Sequence, residues 1–178
     1  MTHSIELLPD PAADRLIRDQ WSALDDAGIP NRGSLQAETN RPHATLLAAP
    51  SIDVSALSAL TPLAMRLPVS CGLGALIVFD AGERHTLARL VVPSSELLSI
   101  HATVVRLSAP MLSDDPAFAH SSPGNWTPHI TLARRLTTAQ VGAALDVLGP
   151  AGSRVTFTAL RQWDGDTATE NILRGRDC

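Results

Sequence analysis

Two short stretches carry residues whose types and spacing suit proton-transfer chemistry. One is Pro42-His43-Ala44-Thr45-Leu46 and the other is Pro128-His129-Ile130-Thr131-Leu132, so both read Pro-His-x-Thr-Leu. In an extended strand side chains alternate between faces, so His and Thr two apart project together while the residue between them points to the core. A proline just before the His suits the first residue of a strand, where no ladder donor is needed. If the two strands lie side by side, two imidazoles and two hydroxyls line one groove, and no metal is required. Imidazole has an unperturbed pKa of about 6.5, so both its forms are accessible near neutrality. That groove is the expected active site.

Competing chemistries fit poorly. The chain has no Cys-x-x-Cys, His-Glu-x-x-His or His-x-His spacing, so zinc ligands are not indicated and no cofactor is expected. Gly72-Leu73-Gly74 is too short for a phosphate cradle, and Ser121-Ser122-Pro123-Gly124 reads as a loop rather than a nucleophile elbow. A third His-x-Thr, His101-Ala102-Thr103, falls in a helical stretch, where residues two apart diverge, so His101 reads as structural. His3, His85 and His120 have no motif around them and read as structural or solvated. No Asp or Glu stands in sequence where it would orient either motif His.

The elements that must position the motifs follow from periodicity. The order is a strand over 4–8 and a helix from Pro11 to about Ala27, capped by Asp10 and ended by Gly28 and Pro30. A polar loop over 31–41 leads to the first motif. A helix capped by Ser51 runs to about Leu60, and strands cover 65–70 and 75–79. The second half repeats the order: a strand over 85–92, a helix capped by Ser94 to about Ala109, a loop over 113–127, and the second motif. A helix with the capping-box spacing Thr137 to Gln140 follows, then strands over 154–163 and 171–173 around a turn at 164–166. His43 and His129 stand 86 positions apart, near half the chain, which favours an internal duplication with two lobes about a pseudo-two-fold axis.

Composition limits what the groove serves. At 178 residues and 44% hydrophobic the chain suits one domain, since about 100–200 residues per domain is usual. All 14 basic residues are Arg, and the net charge of −4 argues against coating long nucleic acid, while leaving a short RNA end or nucleotide open. Two cysteines, Cys71 and Cys178, make no disulfide framework. Without a signal-like start or an apolar run long enough for a bilayer, a soluble, cytoplasmic protein with no membrane partner is expected, as a monomer.

The pair His43-Ala44-Thr45-Leu46 and His129-Ile130-Thr131-Leu132, the second continuing Ala133-Arg134, resembles the two signatures of the 2H phosphoesterase superfamily, in particular its 2′-5′ RNA ligase-like (LigT-like) branch of RNA 2′,3′-cyclic phosphodiesterases. The resemblance implies a single bilobal α+β domain over 1–178, with two small antiparallel sheets, outer helices and a groove between the sheets. It implies that His43 and His129 are an acid–base pair, that Thr45 and Thr131 bind phosphate oxygens, and that Arg134 contacts substrate. It also implies metal-independent action on 2′,3′-cyclic phosphate or 2′-5′ linkages of RNA ends or small nucleotides, with ligation as the reverse reaction. Arg41, on the face of His43, is a candidate for substrate binding or an ion pair. Trp126 is a candidate for stacking on a base or for anchoring its loop. A phosphodiesterase for a small cyclic nucleotide or ADP-ribose cyclic phosphate, and a non-catalytic RNA-end binding module, are the alternatives.

Overall fold

The computed structural model describes residues 2–112, 117–150 and 152–176. Cys178 and the first four residues of the 113–127 loop fall outside them. The chain runs β1 (His3–Pro9), α1 (Pro11–Asp26), β2 (Ala44–Ala49), α2 (Ala56–Ala59), α3 (Thr61–Ala64), β3 (Val69–Ala81), β4 (Arg84–Val91), α4 (Ser95–Ser108), β5 (His129–Leu136), α5 (Thr138–Val147), β6 (Ser153–Asp164) and β7 (Thr169–Arg174).

The helices begin where their caps are. Asp10 accepts from the Ala13 amide at 2.7 Å with Pro11 in the first turn, and α1 buries Ala13, Ile17, Trp21 and Leu24 at helical spacing. Ser94 caps α4 through the Leu97 amide, and Thr137 and Gln140 form the expected capping box of α5. Two expectations are corrected. The helix from Ser51 is replaced by the two single turns α2 and α3, because Ile52 is drawn into a β-bridge with Leu112 and Pro62 opens a fresh turn. In place of strands over 65–70 and 75–79 there is one long strand, β3, which begins only at Val69 and continues through Gly72 and Gly74, with a register shift against β4 between Leu73 and Leu76. A Cβ at either glycine would come within 3.2 Å of the Val92 side chain, so the glycines allow close approach and do not break the strand.

All seven strands pair antiparallel in a single sheet, in the order β1-β2-β5-β4-β3-β6-β7, and β6 also pairs with β1, so the run of pairings returns to its start. Two separate small sheets, as the sequence suggested, are therefore not what forms: β2 and β5 join across one register pair, Ala44 opposite Ile130. The two motif strands each carry a register shift just after the motif Thr. Thr45 faces Glu6 and Leu47 faces Ile5, leaving Leu46 as the extra residue; Thr131 faces Ala88 and Ala133 faces Leu87, leaving Leu132. These are β-bulges, which bend a strand and re-aim the side chains beyond them.

The core lies between the sheet and its helices. α1 lies against β1, β5 and β6, α4 against β2 and β3, and α5 against β4 and β5, burying Leu7, Ile17, Leu46, Leu47, Leu97, Leu132 and Phe157 among others. Cys71 is buried as a free thiol. Among the described residues no helix is long and apolar enough to cross a membrane.

Candidate active site

The pairing of Ala44 with Ile130 decides the geometry of the site. Both residues are buried, so their neighbours His43, Thr45, His129 and Thr131 turn to the other face. Continuing the antiparallel register one residue each way sets His43 across from Thr131 and Thr45 across from His129. All four line one cleft of about 1050 Å³. The paired motifs therefore meet as the alternation requires.

Each motif is held in the same way. His43 Nδ1 lies 2.7 Å from the Arg41 carbonyl and His129 Nδ1 lies 2.7 Å from the Thr127 carbonyl. A carbonyl only accepts, so both Nδ1 atoms carry hydrogen in the neutral tautomer and both Nε2 atoms are left for the cleft. The carbonyls of the two threonines each accept an indole N–H, Thr45 from Trp126 at 2.8 Å and Thr131 from Trp21 at 3.4 Å. Among the described residues neither threonine hydroxyl is taken up by an intramolecular hydrogen bond, so both can donate to a bound anion.

The electrostatics around the two histidines differ. Glu6, opposite Thr45 on β1 and so on its face, places Oε1 3.6 Å from His43 Nε2. Its carboxylate accepts from Ser4 Oγ at 2.6 Å and from Arg161 Nε at 2.7 Å, and Arg161 is its direct neighbour across β6. Glu6 is 3% exposed and Arg161 2% exposed, so this is a buried ion pair. Burial pushes the Glu6 carboxyl up, but His43, Arg161 and the bonds from Ser4 and Arg161 outweigh it, and the net shift is down. Arg161 Nη2 also comes within 3.3 Å of His43 Nδ1; because that nitrogen already donates to Arg41, the approach is a repulsion between donors.

Burial lowers the His43 pKa; the Glu6 charge and the bond to Arg41 push it up, and Arg161 and Arg32 push it down, for a net fall. Burial also lowers His129, offset by its bond to Thr127 and reinforced by Arg134, His43 and His120, while the Phe79 ring sits 4.6 Å from its own. The two imidazoles are thus near enough to sense each other's charge, and among the described residues only His43 has a carboxylate beside it.

The remaining candidates divide. Arg134 lines the cleft, is exposed, and among the described residues has no hydrogen-bond or ion-pair partner. In an unbroken strand it would face away from Thr131, three residues earlier; the bulge at Leu132 shifts the alternation and brings it round. Arg41 lines the cleft and forms an ion pair, its guanidinium bonding both carboxylate oxygens of Glu170 at 2.7–3.2 Å. Trp126 lines the cleft, its ring stacked on His101 at 4.0 Å and its N–H bonded to the Thr45 carbonyl. His101 itself is buried and bonds the carbonyls of Ser121 and Leu46. His120, read as structural or solvated, lines the cleft, with its ring stacked on Phe118.

The sequence reading missed Glu6, Arg161 and Arg32, and the statement that no acid stands by either His is corrected by Glu6. A signal existed: Ser4 and Glu6 alternate with Ile5 and Leu7, so the polar face of β1 was visible, but nothing in the chain says that this face turns to the groove.

A search of curated proteins finds no match. Solved structures with a similar fold include E. coli LigT complexed with NADP+ (16% identity, 97% of this chain and 93% of that one, TM-score 0.54) and Kluyveromyces marxianus Usb1 with uridine monophosphate (11% identity, 97% and 98%, TM-score 0.52). A structure described as a phosphoesterase matches at 16% identity over 97% and 94% of the chains, with a TM-score of 0.51. The family model described as the 2'-5' RNA ligase superfamily matches residues 9–168. With paired His-x-Thr strands facing one cleft and that match spanning most of its length, the chain belongs to the 2'-5' RNA ligase superfamily of 2H phosphoesterases.

Proposed function

We propose that this protein is a metal-independent phosphodiesterase that opens the 2′,3′-cyclic phosphate at the end of an RNA to a 2′-phosphate. The observation that carries this reading is the Ala44–Ile130 pair, which sets two imidazoles, each with Nδ1 tied back to a carbonyl, on one cleft. Opening the ring is an in-line displacement: a water oxygen bonds to phosphorus as the bond from phosphorus to the 3′ oxygen breaks. His129 Nε2, with no carboxylate beside it among the described residues and cations nearby, takes the proton from water. His43 Nε2, with Glu6 favouring its charged form, gives a proton to the departing 3′ oxygen. Thr45 and Thr131 donate to the non-bridging oxygens, where fixed donors stabilise the developing charge, and Arg134 adds a charge-assisted bond. Neither proton transfer calls for a metal.

The cleft is far larger than one phosphate needs, which supports a ligand with a base and sugar attached. That LigT is described with ATP and NADP+ and Usb1 with uridine monophosphate supports a nucleotide-like ligand here. The test is turnover of an RNA trinucleotide ending in a 2′,3′-cyclic phosphate, beside the corresponding mononucleotide, with and without EDTA. His43→Ala and His129→Ala should each lose about 10²–10⁴ in turnover. A folded variant of either with near-normal turnover excludes the paired mechanism, and loss of wild-type activity in EDTA points to metal-assisted hydrolysis instead.

A further inference from the structure

Four arginines line the cleft, Arg32, Arg41, Arg134 and Arg161, and two of them are already matched to acids: Arg161 to Glu6 and Glu170, and Arg41 to Glu170. Among the described residues the side chains of Arg32 and Arg134 make neither an ion pair nor a hydrogen bond, although the Glu6 charge reaches Arg32. The protein carries a net charge of −4, yet it concentrates unmatched positive charge here, as a site for an anion does.

Arg32 is not loosely placed. Its amide donates to the Leu132 carbonyl at 2.9 Å, and Leu132 is the bulge residue that turns Arg134 into the cleft. Its own carbonyl accepts from Asn40 Nδ2 at 2.8 Å. The next residue, Gly33, bonds Asn31 Oδ1 and lies so near α1 that a Cβ there would come 2.9 Å from Trp21 Cβ. The loop over 31–40 is thus fastened to the second motif strand and to α1 at the point where Arg32 leaves it, and only the guanidinium is uncommitted. Burial, the Arg134 charge and the Arg161 charge depress its pKa and the Glu6 charge raises it, for a net fall, so Arg32 stands within reach of the charge on Arg134.

We propose that Arg32 is a phosphate-binding residue of this cleft, acting with Arg134 on the same substrate anion. This deepens the phosphodiesterase reading and rests on it for the identity of the substrate, but not for the anion. It also gives the loop of the first half a direct part in the chemistry of the second motif.

The test compares wild type with Arg32→Gln and Arg32→Lys. Binding of inorganic phosphate is measured by calorimetric titration, and kcat and KM are measured on the cyclic-phosphate trinucleotide. Loss of one charge-assisted hydrogen bond predicts phosphate binding weaker by about tenfold to a hundredfold in Arg32→Gln, with partial recovery in Arg32→Lys, which restores charge but not the two-pronged donor. Melting should be unchanged, because among the described residues the side chain makes no hydrogen bond or ion pair within the fold. The proposal is overturned if Arg32→Gln binds phosphate as wild type does, if it unfolds, or if wild type binds no phosphate. If wild type binds phosphate through Arg32 but turns over no cyclic phosphate, this inference stands and the catalytic reading fails.

Discussion

Replacing Arg161 with Met removes the cation that Glu6 is buried against, and the structure sets the size of the effect. Glu6 would keep the bond from Ser4 and lose both contacts to Arg161, while the Thr39 carbonyl and Glu170 would each lose a donor. Stranding one member of a buried ion pair costs about 3–5 kcal/mol. At this chain length, 1 kcal/mol moves the melting temperature by about 2–4 °C, so Arg161→Met should melt roughly 6–20 °C lower. The sign of the pH dependence follows from Glu6. In wild type its pKa is lowered on folding, so its contribution is present above the unfolded carboxylate value and fades as pH falls through the folded one. Without Arg161 that pKa rises from its wild-type position, because burial is then opposed only by His43 and Ser4, so the deficit of the variant is largest near neutrality and narrows toward acid pH. Urea unfolding at several pH values measures this, and the double variant Glu6→Leu/Arg161→Met should recover most of the loss, since a buried pair can often be exchanged for apolar groups at little cost. A single variant that costs under about 1 kcal/mol, or a double variant worse than the single, would refute the reasoning.

Two further outcomes follow from the same geometry. In Glu6→Gln the carboxylate that raises the His43 pKa is gone, so the limb of the kcat/KM profile belonging to His43 should move to lower pH, and by more than that of His129, which feels Glu6 only through the His43 charge; a profile with both limbs unmoved would remove Glu6 from the acid's environment. Trp126→Phe deletes the N–H that holds the Thr45 carbonyl but keeps an aromatic ring on His101, and should cost about 1–3 kcal/mol in urea unfolding for the acceptor left unpaired. A loss of substrate affinity at unchanged stability would instead make Trp126 a stacking platform.

The sequence by itself determined what depends on near neighbours. Alternation along an extended chain was enough to put His43 with Thr45 and His129 with Thr131, and to send Ala44 and Ile130 to the core. The caps at Asp10, Ser94 and Thr137 fixed where three helices begin, because a side-chain acceptor three residues ahead of an amide is a local arrangement. Helical spacing likewise kept His101 out of the active site.

What only the tertiary structure decided is everything that passes between strands. Register, which no local pattern encodes, lined up Thr45, Glu6 and Arg161 in one row and so set a carboxylate beside His43. Pairing also joined the strands into one sheet at the single contact between the motifs, where the sequence had suggested two. Arg134 stands five residues after His129, a spacing that points away from it in a regular strand; only the bulge at Leu132, forced by how β5 meets β4, reverses that, and the same residue's carbonyl receives the loop that brings Arg32. Alternation tells each side chain which side of its own strand it is on. Which neighbour that side then faces depends on long-range pairing, and at this cleft that pairing separates the two histidines.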